Sequence, residues 1–209
     1  KVDGILTDLS ASLSNDCDLQ FMDAKSKDGH SVLLHSTAHV MAQAVKRLFP
    51  KTKVTIGPYL ENRFYYDFDV ETPFSEEDLT KIEEEMAKIS NENLEIIHEV
   101  KSRNEALSFF NKIGEDYKVE IINDLDKDET LKVYSQGEFT DLCRGPHVPS
   151  TGLIKHFKLL SSSAAYWRGD EKNQTLQRVY GTSFQNSKDL KKYLLMLSLI
   201  HISEPTRPL

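Results

Sequence analysis

The sequence predicts an α+β protein in which an antiparallel sheet is flanked by helices. Two observations support this fold class. Runs of alternating apolar and polar residues occur in pairs joined by short polar turns, as in antiparallel hairpins. Helical segments lie around them, and the clearest of these, residues 32–49, places its apolar residues on one side. The chain has 209 residues, 28% charged and 39% hydrophobic, which is the composition of a globular protein.

The first 28 residues contain short alternating pieces at 5–7 and 18–22, separated by turn residues. We expect them to be the last strands of a small β-rich module whose beginning precedes this chain. The absence of an initiator Met fits that expectation. The polar residues 25–29 predict a linker, and a second domain is expected over 29–197.

The helix at 32–49 carries His35 and His39, which share one side because they are four residues apart, about 40° round the axis. The apolar residues on the opposite side are Leu33, Val40, Met41, Ala44 and Leu48. The pattern predicts imidazoles that face away from the core. Replacing His39 by Ala should then leave stability nearly unchanged. We expect the same of His147, which lies later in the chain. Two solvated surface histidines remain an alternative from this helix alone.

The middle of the chain predicts alternating strands and helices. Ser75 is a good N-cap because acidic residues follow it in the first turn. Strands are predicted at 53–57, 63–69 and 94–100, and helices at 75–90, 102–112 and 115–123, the last of which could also be a strand.

Two predicted hairpins follow, 131–135 with 138–142 and 157–167 with 175–184. A last helix is expected over 187–197. The remaining residues, 198–209, contain two prolines and do not continue the helical pattern. We interpret them as a non-native tail and leave His201 out of the functional argument.

A second group of reactive side chains follows the first hairpin, where Asp141, Cys143 and His147 occur close together. Gly145-Pro146 excludes a helix there, so a turn brings Cys143 and His147 together. With His35 and His39 they form a possible zinc set. The same groups could transfer protons and orient water without a metal. Asp141 would point to the same side of its strand as Cys143.

The charge distribution bears on the partner. Net charge is −7, yet residues 142–192 hold nine lysines or arginines against three acids. Such a basic segment could bind a phosphate backbone, although a chance imbalance remains an alternative. Only two cysteines are present, which suits a reducing compartment such as the cytoplasm. No apolar run approaches the roughly 20 residues that span a bilayer.

Several segments resemble the N-terminal editing region of bacterial-type threonyl-tRNA synthetases. They are HSTAHVMAQAVKRLFP, IGPYLENRFYYDFD, GEDYKVEII, FTDLCRGPHVPSTGLIKHFKLLSSSAAYWRGD and LQRVYGTSF. The resemblance covers 29–197, and residues 1–28 resemble the end of the β-grasp (TGS) module that precedes it in the family. The family's catalytic core, which uses ATP, and its anticodon-binding domain are not in this sequence.

The resemblance implies hydrolysis of seryl-tRNA made in error on the threonine tRNA. The site residues it implies are His35, His39, Lys118, Asp141, Cys143 and His147, with Tyr66 as a pocket wall. Asp141 would bind the seryl ammonium group and Lys118 would supply positive charge. We expect the histidines and Cys143 to converge in one cleft, with Lys118 and Asp141 at its rim. Cys143 as an acyl nucleophile is the less favoured alternative. Arg144, Arg168 and Arg178 would contact the acceptor end of the tRNA. Trp167 could stack on a base, although core packing is favoured for it.

Two other functions remain open: a freestanding zinc-dependent hydrolase of the alanyl type, and a zinc-stapled RNA-binding module without catalysis. No cofactor is required in the leading interpretation, with zinc possible at the four ligands. We expect a monomer, because family dimerisation goes mainly through the core that is not in this sequence.

Overall fold

The computed structural model describes residues 1–203. The helices are α1 (Lys27–Leu48), α2 (Glu76–Glu92), α3 (Arg103–Lys112), α4 (Asp116–Asp124) and α5 (Ser187–Ser203). The strands are β1 (Lys53–Val54), β2 (Tyr59–Leu60), β3 (Arg63–Asp69), β4 (Ile96–Lys101), β5 (Leu131–Gln136), β6 (Phe139–Leu142), β7 (His156–Tyr166) and β8 (Thr175–Phe184). Short 3₁₀ helices span Thr151–Leu153 and Trp167–Gly169.

The strands form two antiparallel sheets, which confirms the predicted α+β class. The larger sheet has the order β1-β3-β8-β7, and β2 also pairs with β3. The smaller sheet has the order β4-β5-β6. Both predicted hairpins are present, since β5 pairs with β6 and β7 with β8. β2 was not predicted, because two residues are too few to show a period in sequence.

Helix α1 begins earlier than the sequence suggested. Ser26 is its N-cap and accepts a hydrogen bond from the backbone N–H of Gly29, so the predicted linker at 25–29 is partly helical. The residues before it form isolated bridges, Val2 with Ile5 and Val2 with Leu19, and no strand within 1–26. The helix ends before Pro50, as predicted.

The polar side of α1 is buried as thoroughly as its apolar side, and here the sequence interpretation was wrong. The apolar side packs between α2 and the larger sheet in one core with Phe64, Phe68 and Ile82. The polar side is covered by the β5–β6 hairpin, where Gln43 Nε2 donates to the carbonyl of Gln136 at 3.2 Å. The helical period of α1 predicted one buried side, whereas elements distant in sequence cover both sides of the helix.

The later helices largely follow prediction. The ambiguous segment is helical as α4, and it packs with α3 and β5 around Phe110 and Ile122. Helix α5 continues to Ser203, so the prediction that 198 ends the helical pattern was wrong; residues 204–209 of the proposed tail lie outside the described residues. Among the helices of residues 1–203, none combines the length and apolar character needed to cross a membrane.

Candidate functional site

The two predicted clusters meet in one site. His35 and His39 lie one turn apart on α1, and Cys143 and His147 lie in the loop after β6. Cys143 Sγ is 3.1 Å from His35 Nε2 and 3.3 Å from His147 Nε2. The four ligand atoms all lie within 4.8 Å of one another. The predicted convergence of these four side chains is therefore confirmed.

The loop between Cys143 and His147 has the backbone that this convergence needs. Gly145 has φ +66°, in the left-handed region, and its N–H donates to Cys143 Sγ at 3.2 Å. A Cβ at position 145 would lie 1.9 Å from the hydroxyl oxygen of Tyr134. Glycine is thus required both by the backbone conformation and by the tyrosine that packs against it.

Ser36 orients the imidazole of His147. Its hydroxyl donates to the carbonyl of Val32 at 2.8 Å, as a helical serine often does, and accepts from the backbone N–H of Val148 at 3.0 Å. His147 Nδ1 lies 3.0 Å from the same oxygen. Because the hydroxyl has only one hydrogen, His147 Nδ1 must be the donor in this contact. The other ring nitrogen, Nε2, is then left with a lone pair directed at Cys143.

A buried ionic group lies beside the imidazoles. Lys118 Nζ on α4 is 2.5 Å from Asp141 Oδ1 on β6, and the hydroxyl of Tyr66 on β3 donates to Asp141 Oδ2 at 2.7 Å. Lys118 also donates to Tyr66 Oη at 3.1 Å and to the carbonyl of Thr55. His39 Nε2 lies 3.6 Å from Asp141 Oδ2, which joins this group to the cluster.

The depth of this group differs from expectation. Lys118 and Asp141 were expected at the rim of a cleft, yet they are 2% and 1% exposed. His39 and His147 are also buried, at 3% and 5%, so their replacement by Ala is not expected to be neutral for stability. His35 and Cys143 are only half-buried and mark the accessible side of the site. The buried group of Lys118, Asp141 and Tyr66 forms the floor of the site.

Burial controls the protonation of the cluster. Desolvation lowers the pKa of His35 to about 4 and lowers the pKa values of His39 and His147 well below the usual 6.5. Desolvation also raises the pKa of the Cys143 thiol to about 12. At neutral pH the site therefore presents three neutral imidazoles and a protonated thiol beside one paired lysine and aspartate.

The four ligands fit a zinc ion. Ligand atoms around tetrahedral zinc lie about 3.3–3.8 Å apart, given bonds of about 2.0–2.3 Å. The sulfur-to-nitrogen distances of 3.1 and 3.3 Å lie at or just below that range, and the four ligand atoms lie within 4.8 Å of one another, so small side-chain adjustments would bring the set to zinc geometry. Neutral imidazoles are the form that binds metal, and Ser36 orients His147 as a supporting residue would. Cys143 would have to lose its proton on binding.

The three arginines predicted to bind tRNA each contact a carboxylate. Arg144 pairs with Glu129 at 2.6 Å and Arg168 pairs with Glu120 at 3.0 Å. Arg178 forms two bonds with Asp67, at 2.7 and 2.8 Å, and covers the ring of Tyr65. Their contact with tRNA stays a prediction, and for Arg178 it would require leaving a partly buried pair.

Trp167 is 6% exposed and packs against Tyr117, with ring centroids 5.0 Å apart. The side chain therefore has the core-packing role that the sequence favoured over base stacking.

Sequence reasoning missed three residues of the site: Ser36, Tyr134 and Asp8. Ser36 adjoins His35, yet a helical serine carries no signal of a partner 111 residues away. Tyr134 packs on His147, with ring centroids 4.6 Å apart, and its hydroxyl donates to Asp8 at 2.7 Å. Asp8 lies in the first segment, which the sequence assigned to another module.

Comparison with known proteins agrees with these observations. Residues 131–180, which include β5, β6 and the Cys143–His147 loop, match the family model of the threonyl and alanyl tRNA synthetase second additional domain. The chain is 56% identical over 197 residues to threonine–tRNA ligase from Symbiobacterium thermophilum, covering 94% of this chain and 30% of that protein. It is 57% identical over 194 residues to threonine–tRNA ligase from Pelobacter propionicus and 52% identical over 194 residues to that from Marinobacter nauticus. Each of these two matches covers 93% of this chain and 30% of the relative.

The resemblance seen in the sequence motifs is therefore confirmed. The chain spans about 30% of the length of the relatives it matches. Residues 131–180 match the threonyl and alanyl tRNA synthetase second additional domain, and nearly all of the chain's length is similar to one segment of the threonine–tRNA ligases.

Proposed function

We propose that this chain is an editing fragment that hydrolyses the ester bond of seryl-tRNA mischarged on the threonine tRNA. The observation that carries the proposal is the contact between the imidazole cluster and the buried Lys118–Asp141–Tyr66 group. Ester hydrolysis needs an oriented water, a group that takes its proton and positive charge near the developing oxyanion. The two adjoining groups supply these three functions.

In this mechanism the ester approaches from the side where His35 and Cys143 are half-buried. A water oxygen bonds to the ester carbon while an imidazole takes the water's proton. The bond to the ribose oxygen then breaks, and that oxygen leaves with the proton. His35 is assigned the base role by position, because its imidazole lies on the accessible side of the site. Burial lowers its pKa to about 4, which keeps the ring neutral at pH 7 but also makes it a weaker base than a free imidazole.

Lys118 acts from the floor of the site. Its ammonium lies 3.1 Å from the hydroxyl of Tyr66 and is held by Asp141 and Thr55, which fixes the position of its charge. A fixed charge in a water-poor site stabilises an oxyanion without reorganisation. Asp141 already holds Lys118 and Tyr66, so binding the seryl ammonium would require replacing one of these contacts.

Cys143 is poorly suited to be the nucleophile. Burial raises the pKa of its thiol to about 12, and the thiolate is the reactive form. The sulfur lies between His35 and His147 and accepts the N–H of Gly145. We assign it a role in holding the imidazoles.

The four-ligand geometry favours one competing function, a zinc-stapled module that binds RNA. When bound, zinc would be held by His35, His39, Cys143 and His147, and could either staple the fold or polarise the ester carbonyl. A purely structural zinc needs no lysine and aspartate on the floor of its site. Lys118 and Asp141 therefore favour hydrolysis.

The relatives' name, threonine–tRNA ligase, supports tRNA as the partner. We propose that the full-length protein attaches threonine to tRNA with ATP, in a core outside this chain. We also propose that the fragment is a cytoplasmic monomer.

The test is deacylation of seryl-tRNA by the chain and its variants. We expect His35→Ala to lower kcat by about 10²–10⁴-fold, the usual contribution of a general base. The matched control is His156→Ala, which removes a histidine of β7 and should retain activity. Activity that persists in a chelator would exclude an obligatory zinc, and equal activity of the two variants would refute the mechanism.

A further inference from the structure

The side chain of Asp8, in the first segment of the chain, contacts the candidate site. Its Oδ1 accepts the backbone N–H of His147 at 3.0 Å, and its Oδ2 accepts the hydroxyl of Tyr134 at 2.7 Å. His98 Nδ1 lies 3.8 Å from Oδ2 and its ring stacks on Tyr134. The Asp8 side chain is 9% exposed, so water cannot readily replace its carboxylate as the acceptor of these hydrogen bonds.

These two contacts act on opposite ends of the Cys143–His147 loop. The bond to His147 holds the backbone at the far end. The bond to Tyr134 holds the hydroxyl that packs against Gly145, whose N–H in turn donates to Cys143 Sγ. One carboxylate therefore supports both the thiol and the imidazole that the loop contributes. Residues 1–26 form no strand or helix, so the segment contacts the site without pairing to either sheet, and Asp8 provides hydrogen bonds to the loop and to Tyr134.

We infer that Asp8 is a positioning residue of the site, and that residues 1–26 belong to the functional unit together with the domain that follows. Asp8 does not touch reacting atoms; it acts through Tyr134 and His147. Without it, two buried donors lack an acceptor, and the loop opens more often because an unpaired buried donor is unfavourable.

The reactivity of Cys143 toward an alkylating reagent measures this opening directly. The full chain is treated with chelator, alkylated with iodoacetamide, and the rate at Cys143 is followed by peptide mass spectrometry, separately from Cys17. We expect Asp8→Ala to raise the rate at Cys143 by about tenfold, since local opening exposes the sulfur. Asp8→Asn should raise it less than about threefold, because its amide oxygen can still accept from His147.

The matched control is Asp3→Ala. Asp3 lies in the same segment and accepts the backbone N–H of Asp18 at 2.8 Å, a contact within the segment. We expect this variant to leave the rate at Cys143 unchanged. An equal rise in Asp3→Ala and Asp8→Ala would overturn the assignment, because loss of any contact in the segment would then suffice. An unchanged rate in a folded Asp8→Ala variant would overturn it as well.

If Asp8→Ala does not fold, Tyr134→Phe keeps the inference testable. It removes only the hydroxyl that joins Asp8 to the loop, and we expect it to raise Cys143 alkylation by about threefold. No rise would contradict the inference.

A second measurement rests on the proposed function. Asp8→Ala should lower kcat for seryl-tRNA deacylation by about tenfold with little change in KM, and Asp8→Asn should restore most of it. A rise in KM with kcat unchanged would contradict a positioning role. If the unsubstituted chain proves inactive on seryl-tRNA, the proposed function fails, while the alkylation experiment still decides the role of Asp8.

Discussion

At the residue scale, the site is defined by buried polar side chains that contact one another through hydrogen bonds and an ion pair. The Ser36 hydroxyl sets the tautomer of His147, and Tyr66 joins Lys118 to Asp141. Each group occupies a position at which removal of its partner leaves a buried charge or donor unpaired. The chemistry and the stability of this site therefore depend on the same contacts.

The Lys118–Asp141 pair provides the first prediction. Lys118→Met leaves the carboxylate of Asp141 buried without its cation, which should lower the free energy of unfolding by about 3–5 kcal/mol. The double variant Lys118→Met/Asp141→Asn removes both charges and should recover part of that loss. Urea denaturation of the four members of the cycle measures the coupling. Additive losses would show that the two charges do not stabilise each other.

At the element scale, α1 organises the molecule because other elements cover both its sides. Its last turn carries Arg47, which lies 3.2 Å from Glu85, 2.6 Å from Glu92 and 2.5 Å from Glu138. These acids belong to α2 and to the turn between β5 and β6. The arginine therefore holds the hairpin that delivers Asp141 and Cys143 against the helix that delivers the histidines.

This arrangement predicts a pH-dependent contribution of Glu138. Hydrogen bonds from Arg47 lower its pKa from 4.5 to about 2. A folded-state pKa below the unfolded value stabilises the protein above about pH 4.5, and the contribution is lost as pH falls toward 2. Glu138→Gln should thus be destabilising at pH 7, by less than about 1 kcal/mol because the side chain is half exposed.

The difference in free energy of unfolding between this variant and the unsubstituted chain should narrow as pH falls from about 4.5 to about 2. Urea denaturation at several pH values measures it. Glu61→Gln, an exposed acid in the turn between β2 and β3, serves as the control and should show no such trend. A difference that stays constant with pH would show that the Glu138 carboxylate contributes through packing and not through its charge.

At the scale of the whole molecule, the two sheets and five α-helices of residues 1–203 bring residues more than 100 positions apart to one site. Threonine has one methyl more than serine, and one methyl supplies about 10–200-fold discrimination in a pocket. We therefore expect seryl-tRNA to be hydrolysed at least about tenfold faster than threonyl-tRNA, because the larger side chain overlaps the pocket wall. Equal rates on the two substrates would exclude a size sieve.

The same assay tests the basic segment. If Arg144, Arg168 and Arg178 all bind phosphates, KM should rise about a hundredfold for each tenfold rise in salt, from a slope of about −0.7 per contact on a single strand. Arg178 is paired with the buried Asp67, whereas Arg144, although paired with Glu129, is 82% exposed. Arg178→Gln should therefore change the slope less than Arg144→Gln does. A KM independent of salt would remove all three from the tRNA interface.

Local pattern was sufficient for most elements and for the composition of the cluster. The Ser75 cap, the strand alternation at Arg63–Asp69 and the two hairpins depend on neighbours within a few residues, and each was predicted correctly. The four-residue spacing of His35 and His39, with Cys143 and His147 beside a turn, also indicated one site from local geometry alone. The conformation of such segments is set largely by their own side chains.

Only the tertiary structure decided which polar groups are buried and what they pair with. The polar side of α1 was predicted to face away from the core, yet the β5–β6 hairpin and the Cys143–His147 loop bury it. Lys118 and Asp141 are 23 positions apart in sequence, and their burial arises from packing of α4 against β6 across Tyr66. Asp8 reaches His147 across 139 residues. Period and spacing report contacts within an element, whereas burial depends on elements that meet only when the chain has folded.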